Sequence, residues 1–126
     1  MVAKAVLAGI KVLVIEDEPL ISMFIEDLLS DLGCETVAIA ANLTDATHKA
    51  AEVDCDIVML DVNLSGKQTF GLAESLFEKH MPFIFSTGYG NPGIPLHLQY
   101  VPILQKPFKV SELKEKLEFA LAAARH

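Results

Sequence analysis

The sequence has no tryptophan, only two cysteines and no apolar run long enough to span a membrane. Cys34 and Cys55 form neither a CxxC pair nor the Cys/His spacing of a zinc site. They are expected to be small buried hydrophobes, and two free thiols in an acidic chain fit the reducing cytoplasm. Positive charge is also scarce. Ten Lys and Arg stand against 17 Asp and Glu, a net charge of −7, so the basic face that nucleic acid or an anionic membrane requires is missing. Residues 1–10 are apolar but broken by Lys4, and they have no secretory-signal layout. No membrane insertion is expected, and these residues lead into the first strand.

With 52% hydrophobic residues over 126 positions, disorder is excluded and one domain is expected. It spans residues 1–126, with a core over 11–124 and no output domain after it. Val12 to Ile15 is an unbroken β-branched and Leu run ending in Glu16-Asp17-Glu18, with Pro19 placed for a first helical turn. From Leu20 to Leu32, apolar positions 20, 21, 24, 25, 28, 29 and 32 form one stripe of an amphipathic helix, which Gly33 ends. Glu35 to Ala40 alternates as a strand, and Asn42 with Asp45 resembles a capping box opening a helix to about Val53. Ile57 to Asp61 reads as a strand buried on both faces, with its polar residue where it emerges. A loop with Ser65 and Gly66 follows, then a helix over Phe70 to Lys79 with Leu72, Ala73, Leu76 and Phe77 inward. Phe83 to Thr87 and Val101 to Leu104 are further strands. Val110 to about Ala124 is a last helix with Val110, Leu113, Leu117, Leu121 and Ala124 in register. Between Thr87 and Lys106, where a fourth helix belongs, Gly88, Gly90, Pro92, Gly93 and Pro95 allow only a helical turn near Leu96 to Gln99. Strand and helix alternate, so the fold is α/β: a doubly wound, five-stranded parallel sheet.

In such a sheet the C-terminal ends of all strands face one edge. There the sequence places Glu16, Asp17, Asp61, Thr87 and Lys106. Clustered carboxylates repel unless a cation joins them, and a hard ion such as Mg²⁺ takes carboxylates with a backbone carbonyl and waters. Lys106 precedes Pro107, a bond open to the cis form, and its ammonium would neutralise an anion at that edge. Thr87 would offer a hydroxyl. His48, His80, His97 and His126 are scattered and imply no common site. The charged face of the last helix is a solvated surface, and its apolar side near Phe108 and Phe119 is a candidate partner surface.

Four segments in order, Val12 to Pro19 (Val-Leu-Val-Ile-Glu-Asp-Glu-Pro), Val58 to Leu64 (Val-Met-Leu-Asp-Val-Asn-Leu), Phe85 to Tyr89 (Phe-Ser-Thr-Gly-Tyr) and Lys106 to Phe108, resemble the receiver domain of two-component response regulators. The resemblance implies a flavodoxin-like strand order 2-1-3-4-5. It implies that Asp61 is the phosphoacceptor, attacking the phosphohistidine of a histidine kinase or histidine phosphotransfer protein. It further implies Mg²⁺ held by Glu16, Asp17, Asp61 and the backbone carbonyl of Asn63, with Thr87 as switch hydroxyl and Lys106 as the paired cation. Three departures stand out. The acidic pair begins with Glu16 rather than aspartate. Ile103 occupies the slot of the aromatic switch residue, near which only Tyr89 and Tyr100 lie. The loop after Asp61 lacks its usual proline. Phe85 to Tyr89 partly matches a subgroup of single-domain receivers with a Phe-Ala-Thr-Gly-aromatic signature and an irregular fourth helix.

The expected function is that of a non-enzymatic single-domain response regulator that signals through a downstream protein or relays phosphate. One alternative is a receiver-like binding module that takes no phosphate. A haloacid-dehalogenase-type phosphatase also places an aspartate at a strand end, but it wants an acid at Asn63 and its nucleophile on the first strand.

Overall fold

The computed structural model describes residues 7–88 and 92–123. Tyr89, Gly90, Ala124, His126 and the lead-in before Leu7 lie outside the described residues. Five strands, β1 (Lys11–Ile15), β2 (Glu35–Ala40), β3 (Ile57–Asp61), β6 (Phe83–Thr87) and β7 (Ile103–Gln105), form one sheet. Its order is β2-β1-β3-β6-β7, every pair parallel, which is the expected 2-1-3-4-5 arrangement. A two-residue hairpin, β4 (Asn63–Leu64) with β5 (Lys67–Gln68), stands apart from it. The connecting helices are α1 (Pro19–Asp31), α2 (Leu43–Glu52), α3 (Phe70–Glu78) and α4 (Val110–Ala123). Among the described residues between β6 and β7, a single 3₁₀ turn, Leu96–Leu98, stands in place of a helix.

Strand side chains alternate between two cores, as the two-residue period of a strand demands. Leu13, Ile15, Val58, Leu60 and Phe85 pack with Ala46 of α2, Leu72, Ala73 and Leu76 of α3, and Leu98. Val12, Val14, Ile57, Met59, Ile84 and Leu104 pack with Ile25 and Leu29 of α1 and with Leu113, Leu117 and Leu121 of α4. All five residues of β3 are buried, so the central strand fixes the position of whatever stands at its end. Cys34 and Cys55 are free and buried, one in each core. Burial pushes the Cys34 thiol up to about 11, which keeps it protonated and inert.

Local signals set the element ends. Asn42 Oδ1 accepts from Asp45 N at 2.8 Å and caps α2. At the end of α1, Gly33 N donates to Ser30 O and Cys34 N to Leu29 O, a Schellman closure with Gly33 at φ +85. The end of α3 repeats it with His80 N on Phe77 O and Met81 N on Leu76 O, but here the left-handed position is His80, at φ +60.

Four expectations need correction. The apolar stripe of α1 is only partly buried: Leu20 is 80% and Phe24 44% exposed, while Ile25 and Leu29 are buried and Ile21, Leu28 and Leu32 pack against the core from its edge. Phe77 is exposed and stacks edge-on with Tyr100 instead of entering the core. Phe108 is buried against Phe24, so of the two phenylalanines of the candidate partner surface Phe119 is the exposed one. The last strand begins at Ile103, not Val101, since Val101 N is taken by Leu98 O in the preceding turn.

Candidate functional site

The site lies where β1, β3, β6 and β7 end. Sheet register brings these ends together: Ile15 pairs with Leu60, Asp61 with Ser86, and Thr87 with Gln105. The next residues, Glu16 and Lys106, therefore emerge beside Asp61 although they lie far from it in sequence. Lys106 Nζ donates to Glu16 Oε1 at 2.7 Å and to Asp61 Oδ2 at 3.0 Å. The peptide bond from Lys106 to Pro107 is cis, and Lys106 N donates to Thr87 O at 2.8 Å.

The three charges are nearly dry, with side-chain exposures of 1% for Glu16, 6% for Asp61 and 14% for Lys106. Burial pushes the Glu16 carboxyl up to about 7; the hydrogen bond from Lys106 opposes that push only in part, and repulsion from Asp61 adds to it. Burial alone would lower the Lys106 ammonium, but its hydrogen bonds to Glu16 and Asp61 outweigh that and leave it raised. The lysine thus serves as the internal counter-cation of two carboxylates that would otherwise repel.

Asp17 is held from the other side. Its Oδ2 accepts from Ser65 N at 2.8 Å and from Ser65 Oγ at 3.2 Å. Asn63 N donates to Asp61 Oδ1 at 3.1 Å, while the Asn63 side chain accepts from Gly66 N. Thr69, fully buried, closes the loop, its hydroxyl meeting Asp61 O at 2.6 Å and Val62 O at 3.2 Å. Thr87 is half-buried at the end of β6, one residue beyond the partner of Asp61.

Among the described residues, one group of three carboxylates has ligand oxygens within 4.8 Å of one another: Glu16, Asp17 and Glu18. Asp61 stands outside it, with Lys106 bridging to Glu16. An all-oxygen donor set with no Cys or His suits a hard ion such as Mg²⁺ rather than Zn²⁺. Sequence reasoning missed Glu18, Ser65 and Thr69. Ser65-Gly66 carried a turn signal, but nothing local tied Ser65 to an acid 48 residues earlier.

A family model for the response regulator receiver domain matches residues 12–118. The solution structure of SdrG from Sphingomonas melonis Fr1 is similar at 33% identity and a TM-score of 0.77, over 94% of this chain and 98% of that one. The anti-anti-sigma factor PhyR from Bartonella quintana is similar at 25% identity and a TM-score of 0.79, over 96% of this chain and 52% of that one. The transcriptional regulatory protein PdtaR of Mycobacterium tuberculosis is 27% identical over 119 residues, 91% of this chain. The chain spans only 20% and 58% of the lengths of the first two curated relatives it matches. With the flavodoxin-like strand order and an acidic site at the strand ends, these matches agree on one conclusion: the chain belongs to the response regulator receiver domain family.

Proposed function

We propose that this chain accepts a phosphoryl group on Asp61 from a histidine kinase or histidine phosphotransfer protein, in the cytoplasm, as one receiver domain over residues 1–126. The observation that carries this is the Asp61 carboxylate, fixed at the end of a fully buried strand with Lys106 Nζ 3.0 Å away. Phosphoryl transfer asks a protein mainly to position the reactants and neutralise charge.

In this reading an Asp61 oxygen attacks phosphorus as the P–N bond to the donor imidazole breaks. The imidazole nitrogen keeps the electron pair, and an acyl phosphate forms on Asp61. Asn63 N and Thr69 hold Asp61 in place before attack. Lys106 neutralises the phosphoryl group, and the Thr87 hydroxyl donates to it. Glu16 and Asp17, with Asp61 and the Asn63 carbonyl, would hold Mg²⁺, which would supply charge compensation for the phosphoryl group. A cavity of about 360 Å³ is lined by Lys106 and Glu18 together with Ile21, Phe24, Pro107 and Phe108. An apolar rim joined to the acidic site suits docking of the phosphodonor protein.

Downstream, the domain acts on a protein target or passes the phosphoryl group along a relay. The likeness to an anti-anti-sigma factor favours a protein target. No described helix is long and apolar enough to cross a membrane. Full-length protein incubated with acetyl phosphate and Mg²⁺ gains one phosphoryl group by mass, and Asp61→Ala gains none. Equal labelling of both, or labelling of neither, refutes the proposal. The aliphatic Ile103 favours a second reading, a binding module that works without phosphate, and absence of labelling with retained partner binding would select it. The phosphatase alternative is disfavoured by Asn63 and by the family match, and many turnovers of a phosphate ester would be needed to revive it.

A further inference from the structure

The hairpin after Asp61 touches two carboxylates, Asp61 at the end of β3 and Asp17 just beyond β1, and one of its residues adopts a conformation that its side chain disfavours. Ser65 and Gly66 have φ +51 and +86, the signature of a two-residue type I′ turn between Leu64 and Lys67. Gly66 adopts that backbone freely. A serine at the first position is strained, since Asn, Asp and Gly are the residues that tolerate it. The scaffold that holds Ser65 there is tied at both ends. Thr69 Oγ fastens its base to the Asp61 carbonyl, and Asn63 Oδ1 accepts from Gly66 N across the turn.

From that scaffold Ser65 directs both its N–H and its hydroxyl to one atom, Asp17 Oδ2, at 2.8 and 3.2 Å. Neither bond engages Oδ1. We propose that Ser65 is a positioning residue for Asp17: the hairpin turns the carboxylate so that its other oxygen serves the divalent cation, and this sets the affinity of the site for Mg²⁺. The inference rests on the proposed function, in which Glu16 and Asp17 hold that ion. It also gives the strained serine a role, because a glycine would form the turn more easily and keep the backbone donor while losing the hydroxyl.

The test separates fold from site. Mg²⁺ is titrated into the ¹⁵N-labelled full-length chain and followed by NMR, and melting temperatures are measured in EDTA. Ser65→Gly is expected to melt no lower than wild type yet bind Mg²⁺ roughly 10-fold more weakly, the low end of what loss of an outer hydrogen bond to a metal ligand costs, because the backbone donor remains. Ser65→Ala, which keeps the strain, is expected to show the same weakening. Unchanged or tighter binding in either variant overturns the proposal, and so does weaker binding accompanied by a lower melting temperature in Ser65→Gly. Asp17→Asn distinguishes the two levels. If wild type binds Mg²⁺, Asp17→Asn loses it and the Ser65 variants match wild type, the inference alone fails. If wild type takes up no Mg²⁺, the proposed function fails and the inference with it.

Discussion

The Lys106 ammonium lies 3.0 Å from Asp61 Oδ2, a contact between residues 45 positions apart. The same ammonium donates to Glu16 Oε1 at 2.7 Å and so offsets the repulsion between the two carboxylates. Lys106→Met leaves two buried carboxylates without their counter-cation and is expected to cost about 3–5 kcal/mol in EDTA. Millimolar Mg²⁺ should recover part of that loss by taking over the counter-charge. Urea unfolding in EDTA and in MgCl₂ measures both; a loss identical in the two conditions refutes the expectation.

Glu16 sets a pH dependence with a definite sign. Its carboxyl titrates near 7 when folded against an ordinary 4.5, so between those values the native state binds more protons than the unfolded chain. The stability it contributes is complete below 4.5 and is lost as pH rises through 7. Glu16→Gln has no such proton. In EDTA, stability should therefore shift in favour of the variant by about 2–3 kcal/mol between about pH 5 and about pH 8. Parallel stability–pH curves for the two proteins would contradict this.

Thr69 fastens the loop that carries the hairpin. Thr69→Val keeps the shape but deprives the buried Asp61 carbonyl of its hydroxyl donor, for an expected loss of about 1–2 kcal/mol. Thr69→Ser keeps the bond and should lose less. Thermal unfolding of both variants checks the order, and a serine variant as unstable as the valine one would show that packing, not the hydroxyl, matters.

The two Schellman closures differ by one residue type. Gly33 fills the left-handed position after α1, and His80 fills it after α3. His80→Gly removes the cost of that backbone for a Cβ-bearing residue and should stabilise the protein by about 0.5–1 kcal/mol, net of the greater freedom of glycine in the unfolded chain. A lower denaturation midpoint would mean that the His80 side chain makes a compensating contact.

The sheet and the site edge were legible because their signals are local. Val12 to Ile15 and Ile57 to Leu60 are continuous apolar runs, and each breaks at a charged residue. Parallel winding then brings Glu16, Asp61 and Lys106 together without further information. Gly and Pro between Thr87 and Lys106 likewise announced the lost helix. The hairpin was not legible, since strands of two residues have no period to detect. Ser65 and Thr69 act on partners that only the folded chain brings near. The exposed half of α1 was missed for another reason. A helical stripe shows which residues share a face, but not how much of that face the sheet covers, and Leu20 and Phe24 lie beyond its reach.

The separation between the members of the ionic group also bears on how the molecule folds. Lys106 must meet Asp61 across 45 residues and Glu16 across 90, and its own strand, β7, is an edge strand of three residues that enters the sheet last in chain order. Closing loops of that length costs entropy that is recovered only when the central strands are already packed. Formation of the Lys106 contacts is therefore expected late in folding. A chain stalled before β7 docks has its core strands in place but no ammonium between its two acids.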